Sequence, residues 1–197
     1  LAENNLSISA IIMFVAFIIV FSEGMSGKIT GILMGLGGIG VLIAIFTSGY
    51  RMKRFISFIN PWKYATDEGY QLVHSLYAIG TGGLFGVGLG NSKQKALYMP
   101  EPHNDFIFAI ICEELGLIGA IIIISVFLVL IIAGINVAMR AKDKYGRLLA
   151  TGIISVIAVQ VVINIAVVTG SMPVTGVPLP FISYGGTSLV FNLAAIG

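Results

Sequence analysis

Charged residues are scarce in this sequence. Asp, Glu, Lys and Arg make up 10% of its 197 residues, whereas hydrophobic residues make up 57%, and the mean hydropathy is +0.99. Soluble domains carry about 25% charged residues, so this composition excludes an ordinary soluble domain. The formal net charge of +2 is too small to indicate a nucleic-acid-binding protein.

Cysteine is nearly absent as well. Cys112 is the only one, so no intrachain disulfide can form. The sequence has no H-E-x-x-H or C-x-x-C pattern, and a transition-metal site built from protein ligands alone is therefore not expected. There is also no G-x-S-x-G elbow, which argues against a Ser-His-Asp hydrolase.

An initiator Met and a secretory signal pattern are both missing. The final apolar run, 189–197, is too short to cross a membrane, because a hydrocarbon core of roughly 30 Å needs about 20 helical residues. We therefore expect an internal fragment of a longer polytopic protein.

Long apolar runs, in contrast, are abundant. In lipid the backbone must satisfy its own hydrogen bonds, so runs of this kind form helices. The predicted fold class is all-α, a polytopic transmembrane helical bundle in which residues 1–197 form a single membrane domain. The predicted spans are 7–22, 29–48, 115–139, 148–169 and an incomplete one at 189–197.

Short and long connections alternate between these spans. If the spans alternate in direction, the short loops 22–28 and 140–147 lie on one side of the membrane. The long loops 49–104 and 170–188 then lie on the other. The loop 140–147 is predicted to be cytoplasmic by the positive-inside rule, because it carries four basic residues: Arg140, Lys142, Lys144 and Arg147.

The long loop 49–104 carries basic residues that topology does not explain. They are Arg51, Lys53, Arg54 and Lys63. Two explanations stay open: an anionic ligand on that side, or an amphipathic segment that meets lipid headgroups.

Further along this loop, the stretch 70–77 is amphipathic, and the segment 80–90, GTGGLFGVGLG, is apolar but broken by six glycines. The glycine-rich segment is too short for a span, which favours a re-entrant or interfacial segment. Its G-x-G spacing resembles a nucleotide fingerprint, but no strand precedes it.

A cluster of ionisable residues precedes the third span. Ionisable groups at a membrane boundary are costly to keep and are therefore candidates for function. For Asp105 two compatible roles stay open. Either Asn104 or Asp105 is a helix N-cap, or Asp105 is a base that accepts a proton from a substrate hydroxyl. The cluster comprises Glu101, His103, Asp105, Glu113 and Glu114.

The remaining polar residues favour structural roles. On a helical wheel Glu113 lies within about 80° of Asp105 and Glu114 lies opposite, so at most one shares a cavity with Asp105. Structural pairing is the preferred interpretation for both glutamates. Gln160 and Asn164 share one helix face and are expected to form interhelical hydrogen bonds.

Two long motifs, in order, resemble a known family. They are NPWKYATDEGYQLVHSLYAIGTGGLFGVGLGNSKQKALYMPEPHNDFIFAIICEELG and PVTGVPLPFISYGGTS. The chain resembles the SEDS (shape, elongation, division and sporulation) family, closest to its FtsW/SpoVE branch. The family has Thr where this chain has Asn104, and some members have Glu where it has Leu97.

This resemblance implies the C-terminal half of a ten-helix bundle that polymerises lipid II into glycan strands outside the cell membrane. It also implies a class B penicillin-binding protein as partner, and it places the essential acidic residue of the family at Asp105. The expected reaction is an inverting attack of an acceptor 4-hydroxyl on a polyprenyl-pyrophosphate-linked sugar, with Asp105 as base. A divalent cation, Mg²⁺ or Mn²⁺, is a possible cofactor.

Positive charge is needed where the pyrophosphate leaves, and segment 80–90 is a candidate lining for the polyprenyl tail. A lipid-linked-sugar transporter and a non-catalytic division scaffold are the alternatives. The expected substrate-binding residues are Arg51, Lys53, Arg54, Lys63, Lys93, Lys95, Glu101, His103, Ser183, Tyr184, Gly185, Gly186, Thr187 and Ser188.

Overall fold

The computed structural model describes residues 6–97 and 104–197. All regular secondary structure within these ranges is helical, which confirms the all-α prediction. The helices in these ranges are α1 (Leu6–Ser22), α2 (Gly27–Phe46), α3 (Gly49–Ile59), α4 (Tyr70–Gly82), α5 (Lys93–Leu97), α6 (Ile107–Arg140), α7 (Lys144–Val168) and α8 (Gly186–Ile196), with a 3-10 helix at Pro61–Tyr64.

Three described helices are long and apolar enough to cross a membrane: α2, α6 and α7. Shorter apolar helices occupy Ser7–Ser22 and Gly186–Ile196. Helix α6 has 34 residues, which is more than the roughly 20 needed to cross a hydrocarbon core of about 30 Å.

The core lies where α6 and α7 pack against each other and α4 packs against the first part of α6. Ala78 of α4 and Ala109 of α6 are fully buried, and their small side chains let the two helices approach closely. Ile157 and Val168 of α7 complete this core. A second, smaller cluster joins α1 to α7.

Helix α6 contains a break at Gly116, whose φ of +67° and ψ of −165° lie outside the helical region. Such a break frees N–H groups after it and carbonyls before it. Here the carbonyls of Glu113 and Glu114 and the N–H groups of Leu117 and Ile118 all find partners in loop 83–88. The four bonds are Val87 N–H to Glu113 O (2.9 Å), Gly88 N–H to Glu114 O (3.0 Å), Leu117 N–H to Gly83 O (2.9 Å) and Ile118 N–H to Leu84 O (3.3 Å).

Gly82, the last residue of α4, and Gly86 of this loop permit the close contact. A Cβ on Gly82 would collide with the carbonyl of Cys112, and one on Gly86 would collide with the carbonyl of Glu114. The large side chains of the loop, in contrast, face outward. These glycines thus serve a contact between two backbones, and the role of segment 80–90 in lining a lipid groove stays a prediction.

The two short loops lie at the same end of the bundle. Glu23, between α1 and α2, forms ion pairs with Lys144 and with Arg147, the latter at 3.2 Å. The hydrogen bond from Lys144 is the main reason that the pKa of Glu23 lies below its usual value. The contact joins the α1–α2 turn to the start of α7.

This ion-pair cluster predicts a pH dependence. Because the pKa of Glu23 is lower in the folded protein, its contribution to stability is present at neutral pH. That contribution is lost as the pH falls through the folded pKa. We expect the unfolding temperatures of wild type and Glu23→Gln to differ at about pH 7 and to converge towards about pH 3. A constant difference across this range would contradict the assignment.

Candidate active site

Asp105 lies at the end of the bundle opposite Glu23, two residues before α6. The N-cap position of α6 is Phe106, so neither Asn104 nor Asp105 occupies it, which differs from the capping prediction. The carboxylate of Asp105 is directed at Gly176 in the loop after α7. A Cβ built on Gly176 would lie 3.3 Å from Oδ2 of Asp105. A side chain at this position would therefore crowd the carboxylate.

Asn164, near the end of α7, binds both the backbone of Asp105 and the loop that contains Gly176. Its Nδ2 donates one hydrogen bond to the backbone carbonyl of Asp105 and another to that of Val177, each of 2.8 Å. The side chain is completely buried. One amide therefore joins the backbone of Asp105 to the residue that follows Gly176.

The loop between α7 and α8 is well packed around this point. Val177, Leu179 and Pro180 are buried, and the N–H of Leu179 donates to Oγ of Ser183 at 2.7 Å. The hydroxyl of Thr175 is buried and has no hydrogen-bond partner in the part of the chain that the structure describes.

A cation reaches the same loop from α3. Nη1 of Arg54 donates to the carbonyl of Val174 at 3.2 Å, and the guanidinium lies 4.6 Å from the ring centroid of Tyr50. The stretch 174–177 thus contacts a guanidinium at one end and the Asp105 carboxylate nearer the other. A carboxylate and a cation beside one short loop suit a reaction in which one hydroxyl loses a proton while an anion departs.

The other predicted cations have different surroundings. Nη1 of Arg51 donates to the carbonyl of Ala44 at the end of α2, at 3.1 Å. Nζ of Lys53 lies 3.8 Å from Oε1 of Glu68, and Nζ of Lys63 lies 5.9 Å from the ring centroid of Tyr64. Among these contacts of Arg51, Lys53, Arg54 and Lys63, only that of Arg54 reaches loop 174–177.

Lys93 and Lys95 begin α5, which Glu113 anchors to α6. Glu113 is buried. It accepts a hydrogen bond from the Ser92 hydroxyl and a second, of 3.1 Å, from the Lys93 N–H. Oγ of Ser92 in turn accepts from the Lys95 N–H at 3.0 Å. Glu113 therefore orders the segment that carries the two lysines, whose own side chains are exposed.

The predicted residues Ser183, Tyr184, Gly185, Gly186, Thr187 and Ser188 surround the start of α8. Ser183 accepts the hydrogen bond from Leu179 within its own turn, and Tyr184 is largely exposed. Oγ of Ser188 accepts from Asn192 at 3.3 Å. Glu101 and His103 lie outside the described residues.

In residues 6–97 and 104–197, no group of three or more His, Cys, Asp or Glu side chains is arranged to hold a metal ion. Oε1 of Glu114 is buried and has no hydrogen-bond partner in these ranges. The divalent cation stays a prediction.

The comparison with protein families is decisive. The model of the FtsW/RodA/SpoVE cell cycle proteins matches residues 1–197, which is the whole chain. The chain belongs to this family.

Curated relatives support the same family assignment. Stage V sporulation protein E of Bacillus subtilis is 53% identical, over 84% of this chain and 46% of its own length. The probable peptidoglycan glycosyltransferase FtsW of Geobacter sp. (strain M18) is 44% identical, over 100% of this chain and 54% of its own. The chain thus spans about half the length of the curated relatives it matches.

Solved FtsW/RodA/SpoVE structures show the same fold. One is described as "Structural coordination of polymerization and crosslinking by a peptidoglycan synthase complex". It has a TM-score of 0.77 at 27% identity and covers 98% of this chain and 53% of that one. A mutant of the rod shape determining protein RodA of Thermus thermophilus has a TM-score of 0.61 at 25% identity, covering 98% and 47%. The chain is part of a multi-pass membrane protein.

Two residues of this candidate site were not singled out by the sequence-based prediction. Gly176 lies beside Asp105 in space but 71 positions away along the chain. Its only signal is a glycine between Pro173 and Pro178. Ser92 was available from the sequence, because a serine directly before a polar helical stretch is a common N-cap.

Proposed function

We propose that the protein containing this chain polymerises lipid II into glycan strands. The observation that carries the proposal is that one short loop, 174–177, has the Arg54 guanidinium hydrogen-bonded to Val174 and the Asp105 carboxylate beside Gly176. Support comes from family relatives named as probable peptidoglycan glycosyltransferases.

In the proposed reaction, the 4-hydroxyl of one sugar attacks the anomeric carbon of a second, polyprenyl-pyrophosphate-linked sugar. A C–O bond forms to the attacking oxygen, and the bond to the pyrophosphate oxygen breaks. Asp105 takes the hydroxyl proton, and the pyrophosphate leaves with the bonding electron pair. A single displacement inverts the anomeric centre and needs one base and no glycosyl-enzyme.

The departing pyrophosphate requires positive charge close to the bond that breaks. Arg54 is the best placed of the predicted cations, because its guanidinium already contacts the loop beside Asp105. A planar guanidinium also matches phosphate geometry better than an ammonium does. Lys93 and Lys95, on the segment ordered by Glu113, are second candidates. Mg²⁺ or Mn²⁺ would share the neutralisation of this charge.

The proposed location follows from the topology. The basic loop 140–147 is cytoplasmic in this proposal, because positive charge in short loops stays inside. Asp105 then lies on the extracytoplasmic side, at the opposite end of α6. A class B penicillin-binding protein is the proposed partner, and the synthase complex of the solved neighbour is in keeping with such a partner.

The test is a polymerisation assay with the full-length protein and its cognate penicillin-binding protein in liposomes that contain lipid II. We expect glycan chains that a muramidase digests. A parallel reaction uses a transpeptidase-inactive partner, so that the polymer can be attributed to glycosyl transfer alone. Movement of lipid II across the bilayer without polymer would overturn the proposal in favour of a transporter, and neither activity would favour a scaffold.

A further inference from the structure

We propose that Asn164 is a positioning residue for Asp105, and this inference rests on the proposed function. Asn164 does not need to touch the substrate for this role. Its amide fixes the backbone on both sides of the Asp105 carboxylate, so that the carboxylate keeps one direction.

The geometry gives the first step. Residues 104–106 are not helical, so no helical hydrogen-bond ladder fixes the peptide after Asp105. The 2.8 Å bond from Asn164 to the Asp105 carbonyl supplies that restraint. Because the carbonyl and the side chain share one Cα, holding the carbonyl also restricts the direction in which the carboxylate leaves the backbone.

The second step concerns the opposite wall. Asn164 also binds the carbonyl of Val177 at 2.8 Å, and a Cβ built on the preceding Gly176 would lie 3.3 Å from Oδ2 of Asp105. Gly176 has a φ of +70°, which a residue with a side chain rarely adopts. The loop therefore has little freedom, and the same amide sets the distance between it and Asp105.

Side-chain chemistry explains why an amide occupies this position. Both partners are carbonyl oxygens, which accept hydrogen bonds only, so the group between them must offer two donors. The –NH₂ of Asn does so. A carboxylate would place an acceptor against two acceptors, and a hydrophobic side chain would leave two carbonyls without a partner. Oδ1 of Asn164 has no partner in the described residues, so the two donated bonds are what orient the side chain.

The experiment uses the full-length protein with its partner in the lipid II assay and compares Asn164→Leu with wild type. We expect kcat to fall by up to about 100-fold, the scale of an error of about 1 Å in a reacting group. The KM for lipid II should stay within about 2-fold, because substrate contacts remain. The matched control is Gln160→Leu, the same type of change one turn earlier on α7, for which we expect wild-type kcat.

Two further variants keep the inference falsifiable. Asn164→Gln retains the amide on a longer side chain and should show an intermediate kcat. If Asn164→Leu does not fold, the kcat of Asn164→Gln tests the inference in its place. Gly176→Ala disturbs the same carboxylate from the other wall, so the double variant Asn164→Leu/Gly176→Ala should lose less than the product of the two single losses.

The outcomes separate the two proposals. If wild type makes polymer and Asp105→Asn does not, but both Asn164 variants keep wild-type kcat per folded molecule, Asn164 is only structural and this inference alone fails. A rise in KM with unchanged kcat in the Asn164 variants would also overturn the inference, because that result assigns Asn164 to substrate binding. If wild type makes no polymer, the proposed function fails, and the positioning role fails with it.

Discussion

Replacing Asp105 with Asn is expected to abolish glycan polymerisation by the full-length protein. Asn keeps the size of the side chain and leaves the backbone bond to Asn164 unaffected, but it cannot accept a proton. General-base catalysis contributes about 10²–10⁴-fold to rate, so polymer formation should fall by at least about 100-fold. The measurement is the initial rate of lipid II consumption with the partner present.

The matched control for this variant is Asp67→Asn. Asp67 lies in the long loop 49–104 that precedes Asp105, between the 3-10 helix and α4. It is exposed, so its loss should leave the rate unchanged. Both variants should reach the membrane in equal amounts and bind the partner equally. Polymerisation by Asp105→Asn at the wild-type rate would exclude Asp105 as the base and leave it a role in the local structure.

The second large effect is expected at the break in α6. Gly116→Ala should strongly destabilise the protein, because the observed φ and ψ of Gly116 are almost exclusive to glycine and cost about 1–3 kcal/mol for another residue. A Cβ there would also collide with the backbone N of Gly86. Separation of loop 83–88 from α6 would then leave the freed groups on both sides of the break without partners.

Two measurements check this prediction on the full-length protein in detergent. The apparent unfolding temperature should fall, and hydrogen exchange should accelerate at Leu117 and Ile118, whose N–H groups the loop protects. The control is Gly80→Ala in α4, where no atom lies within 4 Å of the new Cβ. That change should be neutral or stabilise the helix by about 0.5–1 kcal/mol. Equal behaviour of the two variants would show that the break does not require glycine.

Much of the architecture was accessible from the sequence because membrane helices must be long and apolar. The hydropathy boundary predicted at Leu115 falls one residue before the break at Gly116. The N-cap prediction at Asn104 or Asp105 placed a helix start close to the observed one at Ile107, but the sequence did not reveal the break at Gly116.

The adjacent Glu113 and Glu114 argue against a membrane span at this point of α6, but not against a helix. In this helix the Glu113 carboxylate binds Ser92, and the backbone carbonyls of both glutamates bind loop 83–88.

The glycine-rich segment shows where sequence reasoning was incomplete. Six glycines in eleven residues predicted a re-entrant or interfacial segment, with a lipid groove as its candidate role. That role stays a prediction, and the structure adds a contact with the backbone of α6 that the sequence did not predict. Which backbone approaches a glycine depends on the packing of α4 on α6, and no local pattern encodes that packing.

The sequence by itself determined that this is a membrane protein, that its described helices form a bundle, and that Asp105 lies at a helix start near the membrane surface. Composition and motif order suffice for these conclusions because each is local. Only the tertiary structure selected Arg54 from several cations, placed Gly176 against the Asp105 carboxylate and joined both sides through Asn164. Apart from the Asn164–Val177 bond, which spans 13 positions, these contacts connect residues 59 to 120 positions apart. Such long-range contacts are set by how α3, α6, α7 and loop 174–177 pack together.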